Sequence, residues 1–160
     1  KQVSLNLSFK DILDTDFIIS LDKNLDKFDN EKKERIVFEI LESDYITDYS
    51  LLEDFVIKYR NQGIKIAIDD FGTGYSNFAH ILKIRPNYIK IDGSLIKNIN
   101  TDKNSYELVK SIIDFSKALN IKVIAEFVHS REVYESILNL GVDEFQGFYL
   151  GEPSLNIEWF

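Results

Sequence analysis

The sequence predicts an α/β protein in which a parallel sheet is covered by helices. Short apolar runs of strand length alternate with longer amphipathic segments along the whole chain, an order typical of successive βα units. No proline-, glycine- or serine-rich linker, repeat or low-complexity tract interrupts this alternation. Six of the apolar runs end on a carboxylate, a carboxamide or a lysine. We therefore expect one α/β unit with a polar site at one edge of its sheet.

Strands and helices can be assigned in order along the first half of the chain. Residues 3–8 alternate strictly between aliphatic and polar side chains, which is the period-two pattern of a strand. Gly63 ends the second helical segment, as glycine commonly does, and Ser76 is suited to cap the third. The predicted strands are residues 3–8, 36–41 and 64–68, and the predicted helices are residues 16–28, 49–61 and 76–82.

The second half of the chain continues the same order. Pro86 precedes a short apolar strand, and a long amphipathic segment follows it. Ser130 is suited to cap the last helix, Glu132 lies in its first turn, where the helix dipole favours negative charge, and Gly141 ends it. The predicted strands are residues 88–91, 121–125 and 144–149, and the predicted helices are residues 104–119 and 130–140.

The number of units leaves two architectures open. Six βα units are two fewer than the eight that close a (βα)8 barrel of about 250 residues. The sheet is therefore either open and doubly wound, or part of a barrel whose first units lie upstream. The chain starts at Lys1 inside a strand-like pattern, and this favours the partial barrel. We expect one domain, residues 1–160, that a longer protein completes.

Composition and charge exclude several classes of partner. The net charge of −8 argues against a general nucleic-acid surface, so no DNA partner is expected. No apolar run approaches the ~18 residues of a membrane-spanning helix, so this segment is expected to make no membrane contact. The chain contains no cysteine, which fits a reducing, cytoplasmic location. The acidic balance still allows a nucleotide ligand, because bound cations can reverse the local charge of a pocket.

The side-chain alternation predicts that the polar strand ends share one face of the sheet. On four strands the polar residue is out of phase with the aliphatic residues that would meet the helices. In a parallel barrel the carboxyl ends of the strands converge on one mouth, where active sites lie. These four strands contribute Asn6, Asp69, Lys90 with Asp92, and Glu126; the remaining two end at Glu39, with Glu42 close by, and at Gln146.

The composition of this ring suits divalent metals and a phosphate ester. Oxygen donors of this kind are the ligands that Mg²⁺ and Mn²⁺ prefer. Asp69 and Asp70 are consecutive, so together they could reach two metal ions ~3.5–4 Å apart. Gly72 and Gly74 then allow a sharp turn. A protein-kinase interpretation of Asp-Phe-Gly fails, because no glycine-rich nucleotide loop and no His-Arg-Asp loop accompany it.

These motifs resemble the EAL domains, the phosphodiesterases that open cyclic di-GMP. The segment Asp69-Asp70-Phe71-Gly72-Thr73-Gly74-Tyr75-Ser76 is similar to the signature loop of that family. Further matches follow in the family's order along the whole chain. They are Val3-Ser4-Leu5-Asn6-Leu7-Ser8, Phe38-Glu39-Ile40-Leu41-Glu42-Ser43, Lys90-Ile91-Asp92, Ile124-Ala125-Glu126, and Gln146-Gly147-Phe148 with Pro153.

The resemblance implies a (βα)8 barrel of the EAL type that hydrolyses cyclic di-GMP to linear pGpG with two Mg²⁺ or Mn²⁺ ions. The metal ligands that it implies are Asn6, Glu39, Asp69, Asp70, Asp92 and Glu126. Glu126 and Lys90 would act on the attacking water and the phosphate, and Glu42 would steady the signature loop. Substrate contacts or support for these groups would come from Gln146, Gly72, Thr73 and Gly74. A homodimer through residues 74–82 and an upstream sensory or GGDEF-type domain are further implied.

Three departures from the family pattern leave a second function open. The Glu-Ala-Leu segment is absent, so one metal-binding glutamate would lie upstream, and the isolated fragment is expected to be weak or inactive. Phe127 replaces a glycine and His129 replaces a glutamate of the family's Ala-Glu-Gly-Val-Glu, and Leu41 replaces a threonine. The alternative is a receptor that binds cyclic di-GMP without cutting it. The nearly complete ligand set favours the enzyme.

Overall fold

A computed structural model describes residues 2–41, 49–73 and 78–154 of the chain. Within them a six-stranded sheet runs in the order β1-β2-β3-β4-β5-β6, and every neighbouring pair is parallel. The strands are β1 (Val3–Leu7), β2 (Ile36–Leu41), β3 (Lys65–Phe71), β4 (Tyr88–Ile91), β5 (Lys122–Ala125) and β6 (Glu144–Phe145). The helices are α1 (Phe9–Leu13), α2 (Thr15–Leu25), α3 (Asn30–Lys33), α4 (Tyr49–Arg60), α5 (Phe78–Ile84), α6 (Gly93–Lys97), α7 (Lys103–Ala118) and α8 (Arg131–Leu140).

The sheet curls like part of a barrel. β1 and β6 form its two edges. Gln2 directly precedes β1 and Tyr88 begins β4, and two strands, β2 and β3, lie between them in the sheet. The Gln2 amide nevertheless donates to the Tyr88 hydroxyl at 3.0 Å. This contact requires the inner face to be concave, as in a (βα)8 barrel. The strand order follows the chain, so the doubly wound alternative, whose strand order reverses at a switch point, is wrong.

The two faces of the sheet carry different side chains. The outer face packs against the helices in one large apolar cluster, which includes Phe38, Ile66, Ile89 and Val123. Val37, Ala67 and Tyr88 form a separate, smaller cluster on the inner face, with Ile124 packed against it. The predicted alternation is therefore confirmed, and the inner face rises from this small apolar floor to the polar strand ends.

Three short helices were not predicted, and each begins at a cap. Ser8 was assigned to the first strand, but it forms a capping box with Asp11 at the start of α1. Asp29 caps α3, and Asp92 caps α6. Ser8 and Asp92 directly follow apolar strands, so the sequence pattern did not separate a strand end from a helix start. Asp29 directly follows the predicted helix 16–28.

Two strand ends also lie several residues from the prediction. β3 continues past Ile68 to Phe71, because residues beyond Ile68 still pair with both neighbouring strands. β6 ends at Phe145 rather than at residue 149. Beyond it Gly147 lies so close to the Val128 backbone that an added Cβ would be 2.3 Å from its nitrogen and oxygen. This close approach replaces a regular ladder.

Some predictions fall on undescribed parts of the chain. Glu42, Gly74 and Ser76 lie outside the described residues, as does part of the predicted dimer segment 74–82. Of that segment the structure describes residues 78–82, which lie in α5. Within the described ranges, the helices are all too short or too polar to cross a membrane.

Candidate active site

Lys90 lies at the centre of the polar inner face. Its side chain, on β4, is almost fully buried, with 4% of the residue exposed. The Lys90 Nζ atom lies 2.9 Å from Glu39 Oε2, 2.8 Å from Asp69 Oδ1 and 3.0 Å from Glu126 Oε1. These four charged groups come from β2, β3, β4 and the residue after β5. We call Lys90, Glu39, Asp69 and Glu126 together the lysine cluster. The sequence prediction that these four residues converge is confirmed.

The lysine cluster keeps Lys90 in its charged form. Burial alone would lower the pKa of Lys90, but the hydrogen bonds to Asp69, Glu39 and Glu126 outweigh it, and the pKa rises above its ordinary value. One cation faces three carboxylates, so the cluster keeps an excess of negative charge. An excess of this kind, in a partly buried site, favours the binding of additional cations.

A β-bulge directs the two consecutive aspartates. The pairing of β3 with β4 shifts register between Ile68 and Phe71, so Asp69 and Asp70 lie in the irregular stretch. Asp70 adopts φ 55°, a left-handed conformation that aspartate tolerates better than most residues. Its N–H donates to Asp69 Oδ1 at 3.0 Å. The bulge therefore lets both carboxylates serve one site, although a regular strand would place them on opposite faces.

Three carboxylates are close enough to share a metal ion. Oxygen atoms of Asp69, Asp70 and Glu126 all lie within 4.8 Å of one another. Burial raises the pKa of Asp70, and the neighbouring Asp69 and Asp92 carboxylates raise it further. Burial also raises the pKa of Glu126, although Lys90 acts in the opposite direction. The ionised form of both acids is thus destabilised, and a bound divalent cation would stabilise it.

Two other predicted ligands lie at the edge of this group. Asn6 pairs in register with Glu39, which places it on the neighbouring strand at the same level, and its side chain is exposed. The Asp92 Oδ1 atom accepts a hydrogen bond from the Ser94 N–H at 2.9 Å. Asp92 therefore caps α6 while its carboxylate influences Asp70. The sequence placed Asp92 on the face of Lys90 but did not predict the cap.

The remaining described residues of the predicted site surround the carboxylates. Gly72 has φ 106°, and an added Cβ would lie 2.5 Å from Leu95 Cδ1, so this turn requires glycine. The Thr73 hydroxyl donates to the Asp70 carbonyl at 3.4 Å. Gln146 follows β6 and lines a cavity together with Glu126. The turn after β3 is thus built around the aspartates.

That cavity, of about 590 Å³, is the opening beside the lysine cluster. Asp92 and Glu126 lie on one side of it, and Phe127 and Phe148 provide aromatic walls. Sequence analysis assigned no binding role to Phe127, Phe148 or Lys97, which also line the cavity. His129 also lines the cavity, and its Nε2 lies 3.2 Å from the Lys97 carbonyl oxygen. Phe127, Phe148 and Lys97 lie outside the strands, so the alternation of side chains along a strand could not predict that they line the cavity.

Acidic ligands around a buried lysine, at the carboxyl ends of parallel strands, define a barrel active site suited to divalent metals. The family comparison agrees with this class. A family model described as "EAL domain" matches residues 1–153. The chain belongs to the EAL domain family, and the resemblance found in the sequence motifs is confirmed.

Three relatives each match more than nine-tenths of this chain, but the chain covers only part of them. It is 33% identical over 150 residues to the cyclic di-GMP phosphodiesterase PdeF of Escherichia coli, which is 94% of this chain and 20% of that protein. A structure of the PaMucR phosphodiesterase in complex with c-di-GMP matches with a TM-score of 0.85 and 27% identity, over 95% of this chain and 61% of that one. Klebsiella pneumoniae BlrP1, solved with manganese or calcium and cyclic di-GMP, matches with a TM-score of 0.81 and 28% identity, over 92% of this chain. The matched shares of the two BlrP1 chains are 38% and 37%.

Proposed function

We propose that this chain carries most of the active site of a cyclic di-GMP phosphodiesterase, which hydrolyses the cyclic dinucleotide to linear pGpG. The observation that carries the proposal is the lysine cluster, in which Lys90 contacts carboxylates from three other strand ends within 3.0 Å. Membership of the EAL family and the phosphodiesterase names of relatives such as PdeF support it.

The residues fit a centre of two Mg²⁺ or Mn²⁺ ions. Hard oxygen donors in a net negative environment are the appropriate ligands. Metal-bearing structures of a relative, with manganese or calcium, support a divalent cation. When bound, such ions supply an activated water at neutral pH and neutralise charge on the phosphate. The residues that would hold them are Asn6, Glu39, Asp69, Asp70, Asp92 and Glu126.

Lys90 and Glu126 have distinct roles in the proposed reaction. Lys90 is a fixed positive charge, because its hydrogen bonds hold it protonated and in one position. It stabilises the negative charge that develops on the phosphate oxygens. Glu126 has a raised pKa, which suits it to accept the proton of the attacking water. The P–O bond to the leaving ribose oxygen then breaks, that oxygen takes up a proton from solvent, and Glu126 returns its own proton to solvent. The products are one phosphate monoester and one free hydroxyl.

The rest of the site supports these groups. Under this proposal Glu42 would steady the signature loop, and substrate contacts or support for the catalytic groups would come from Gln146, Gly72, Thr73 and Gly74. The domain would be the C-terminal two-thirds of an EAL barrel, which fits the 61% of the PaMucR chain that it covers. The remaining strands, one further glutamate ligand and a sensory or GGDEF-type domain would lie upstream. A homodimer through residues 74–82 and a cytoplasmic location belong to the same proposal.

The test is turnover of cyclic di-GMP by the full-length product of the gene that encodes this chain, with Mg²⁺ and then Mn²⁺, followed by nucleotide chromatography. Appearance of pGpG is expected. Asp69→Asn should abolish it, because the substitution removes a carboxylate from both the lysine cluster and the metal group. Asp114→Asn, in an exposed pair with Lys110, is the matched control and should retain full activity. Near-normal turnover by Asp69→Asn would contradict the proposal, and binding without turnover by the unsubstituted protein would favour the receptor.

A further inference from the structure

Phe127 adopts an unusual conformation directly beside the proposed catalytic acid. It follows Glu126 and has φ 56°, in the left-handed region that bulky residues rarely enter. Half of the residue, 50%, remains exposed, so burial of the ring in the core does not account for the conformation. Outliers of this kind cluster at ligand sites, where the surrounding structure holds them.

Close packing against α6 holds the Phe127 side chain in place. A Cβ added at Gly93 would lie 2.6 Å from the Phe127 Cβ, so the first residue of α6 must be glycine for the ring to sit there. The His129 ring packs edge-on at 5.6 Å between centroids. Lys97 Nζ lies 6.0 Å from the Phe127 centroid. The ring therefore has a fixed position although half of the residue is exposed.

The exposed part of this ring borders the cavity that contains Glu126. Phe148, which is 71% exposed, lines the same cavity, and Lys97 adds a positive charge at its rim. A cavity of about 590 Å³ is within the range of small-molecule sites. Flat apolar rings next to a cation form a surface on which a nucleobase can stack. Glu126 and Asp92 line the same cavity, so a base stacked on Phe127 would belong to the molecule that binds at these carboxylates.

We propose that Phe127 is a substrate-binding residue that stacks on a purine base of the dinucleotide and so helps to set its affinity and base preference. This inference rests on the proposed function, since it assigns the base to the cyclic dinucleotide. Phe127 stands where the family motif has glycine, so the ring is a feature of this chain. A stacked base would be held beside Glu126 and would orient the attached phosphate toward Lys90.

The test compares variants of the full-length gene product. Phe127→Ala removes the ring, and Phe127→Gly is a second variant, because glycine adopts positive φ without strain. Phe127→Tyr keeps the aromatic face. Phe28→Ala removes another exposed phenylalanine, 44% exposed, from the segment between α2 and α3 and is the matched control. Binding of cyclic di-GMP is measured calorimetrically with Ca²⁺, binding of Ca²⁺ alone is measured separately, and KM and kcat are measured with Mn²⁺.

Loss of the stacking face should weaken cyclic di-GMP binding about 5- to 150-fold in Phe127→Ala and Phe127→Gly. KM should rise with little change in kcat, and Ca²⁺ affinity should be unchanged. Phe127→Tyr should retain most of the cyclic di-GMP affinity that Phe127→Ala loses, and Phe28→Ala should match the unsubstituted protein. Unchanged cyclic di-GMP affinity in both ring-deleting variants would overturn the inference, and so would an equal loss of Ca²⁺ affinity. If the unsubstituted protein neither binds nor cuts cyclic di-GMP, the proposed function itself has failed and the inference fails with it.

Discussion

The two faces of strand β4 contribute to this protein in opposite ways. On β4, Ile89 and Ile91 are fully buried in the outer core, while Lys90 between them is equally buried on the inner face. The outer residues gain free energy by leaving water, at about 25 cal/mol per Å². Burying the charged Lys90 side chain is unfavourable, and its ion pairs with three carboxylates offset this desolvation cost. One face is thus built for stability and the other for a charge that stays in place.

Removing the central cation should break the inner face most severely. Lys90→Met leaves Glu39, Asp69 and Glu126 together without their shared partner. Activity should fall by about 10²–10³-fold, and the free energy of unfolding of the metal-free protein should fall by about 3–5 kcal/mol. Turnover assays and urea denaturation with EDTA measure the two effects. Lys110→Met, at an exposed position, is the control, and equal behaviour of the two variants would refute the special role of the inner face.

Damage to the outer face should affect stability and leave the chemistry intact. Ile89→Ala creates a cavity in the apolar cluster and should lower the free energy of unfolding by about 2–5 kcal/mol. The kcat per folded molecule should be unchanged, because the inner side chains keep their positions. Denaturant unfolding and active-site-normalised kinetics separate the two quantities. A large fall in kcat with a small loss of stability would show that the faces are not independent.

The inner face should also respond to pH in a defined direction. Because the folded pKa of Glu126 is raised, its contribution to stability is complete below the ordinary value of 4.5 and is lost as pH rises through the folded pKa. Glutamine does not ionise, so Glu126→Gln should not lose free energy of unfolding in this way. In EDTA the variant should therefore become more stable relative to the unsubstituted protein as pH rises above 4.5. Urea unfolding across that range measures it, with Glu107→Gln as an exposed control. A difference that stays constant with pH would contradict the raised pKa.

Exposed ion pairs should contribute least. Arg131 and Glu135 form an i,i+4 pair on α8 in which both side chains are more than half exposed, in contrast to the buried pairs of the lysine cluster. Glu135→Gln should leave both activity and the denaturation midpoint unchanged, because water and salt screen such a pair. A loss comparable with that of Lys90→Met would mean that burial does not distinguish the two kinds of ion pair.

The alternation of strands with helices was sufficient to predict the parallel sheet, and side-chain alternation predicted that Asp69, Lys90 and Glu126 share its inner face. Strands β2 and β4 have the predicted bounds, because each is a short, mostly apolar run that follows polar or proline-containing sequence. The bulge at Asp69 and Asp70 could not be predicted, since a two-residue period assumes regular pairing. The distances from Lys90 to its partners likewise depend on how strongly the sheet curls, a property of the whole fold.

The irregular segments after the strands were the least predictable. Asp92 is both a helix cap and a predicted metal ligand, and its sequence position alone cannot separate the two roles. Phe127 has an ordinary aromatic side chain, and only its backbone conformation reveals how the turn after β5 is built. The positive φ of Phe127 depends on tertiary packing, which local sequence patterns do not contain.

The lysine cluster is proposed to be the core of a metal-dependent phosphodiesterase site. The most direct measurement is pGpG formation by the full-length gene product after removal of metal with EDTA and again after Mn²⁺ is restored, with Glu126→Gln assayed in parallel. We expect no pGpG without metal and recovery of pGpG formation when Mn²⁺ is restored. In Glu126→Gln we expect no pGpG under either condition. Product formation that persists in EDTA, or in Glu126→Gln with Mn²⁺, would contradict it.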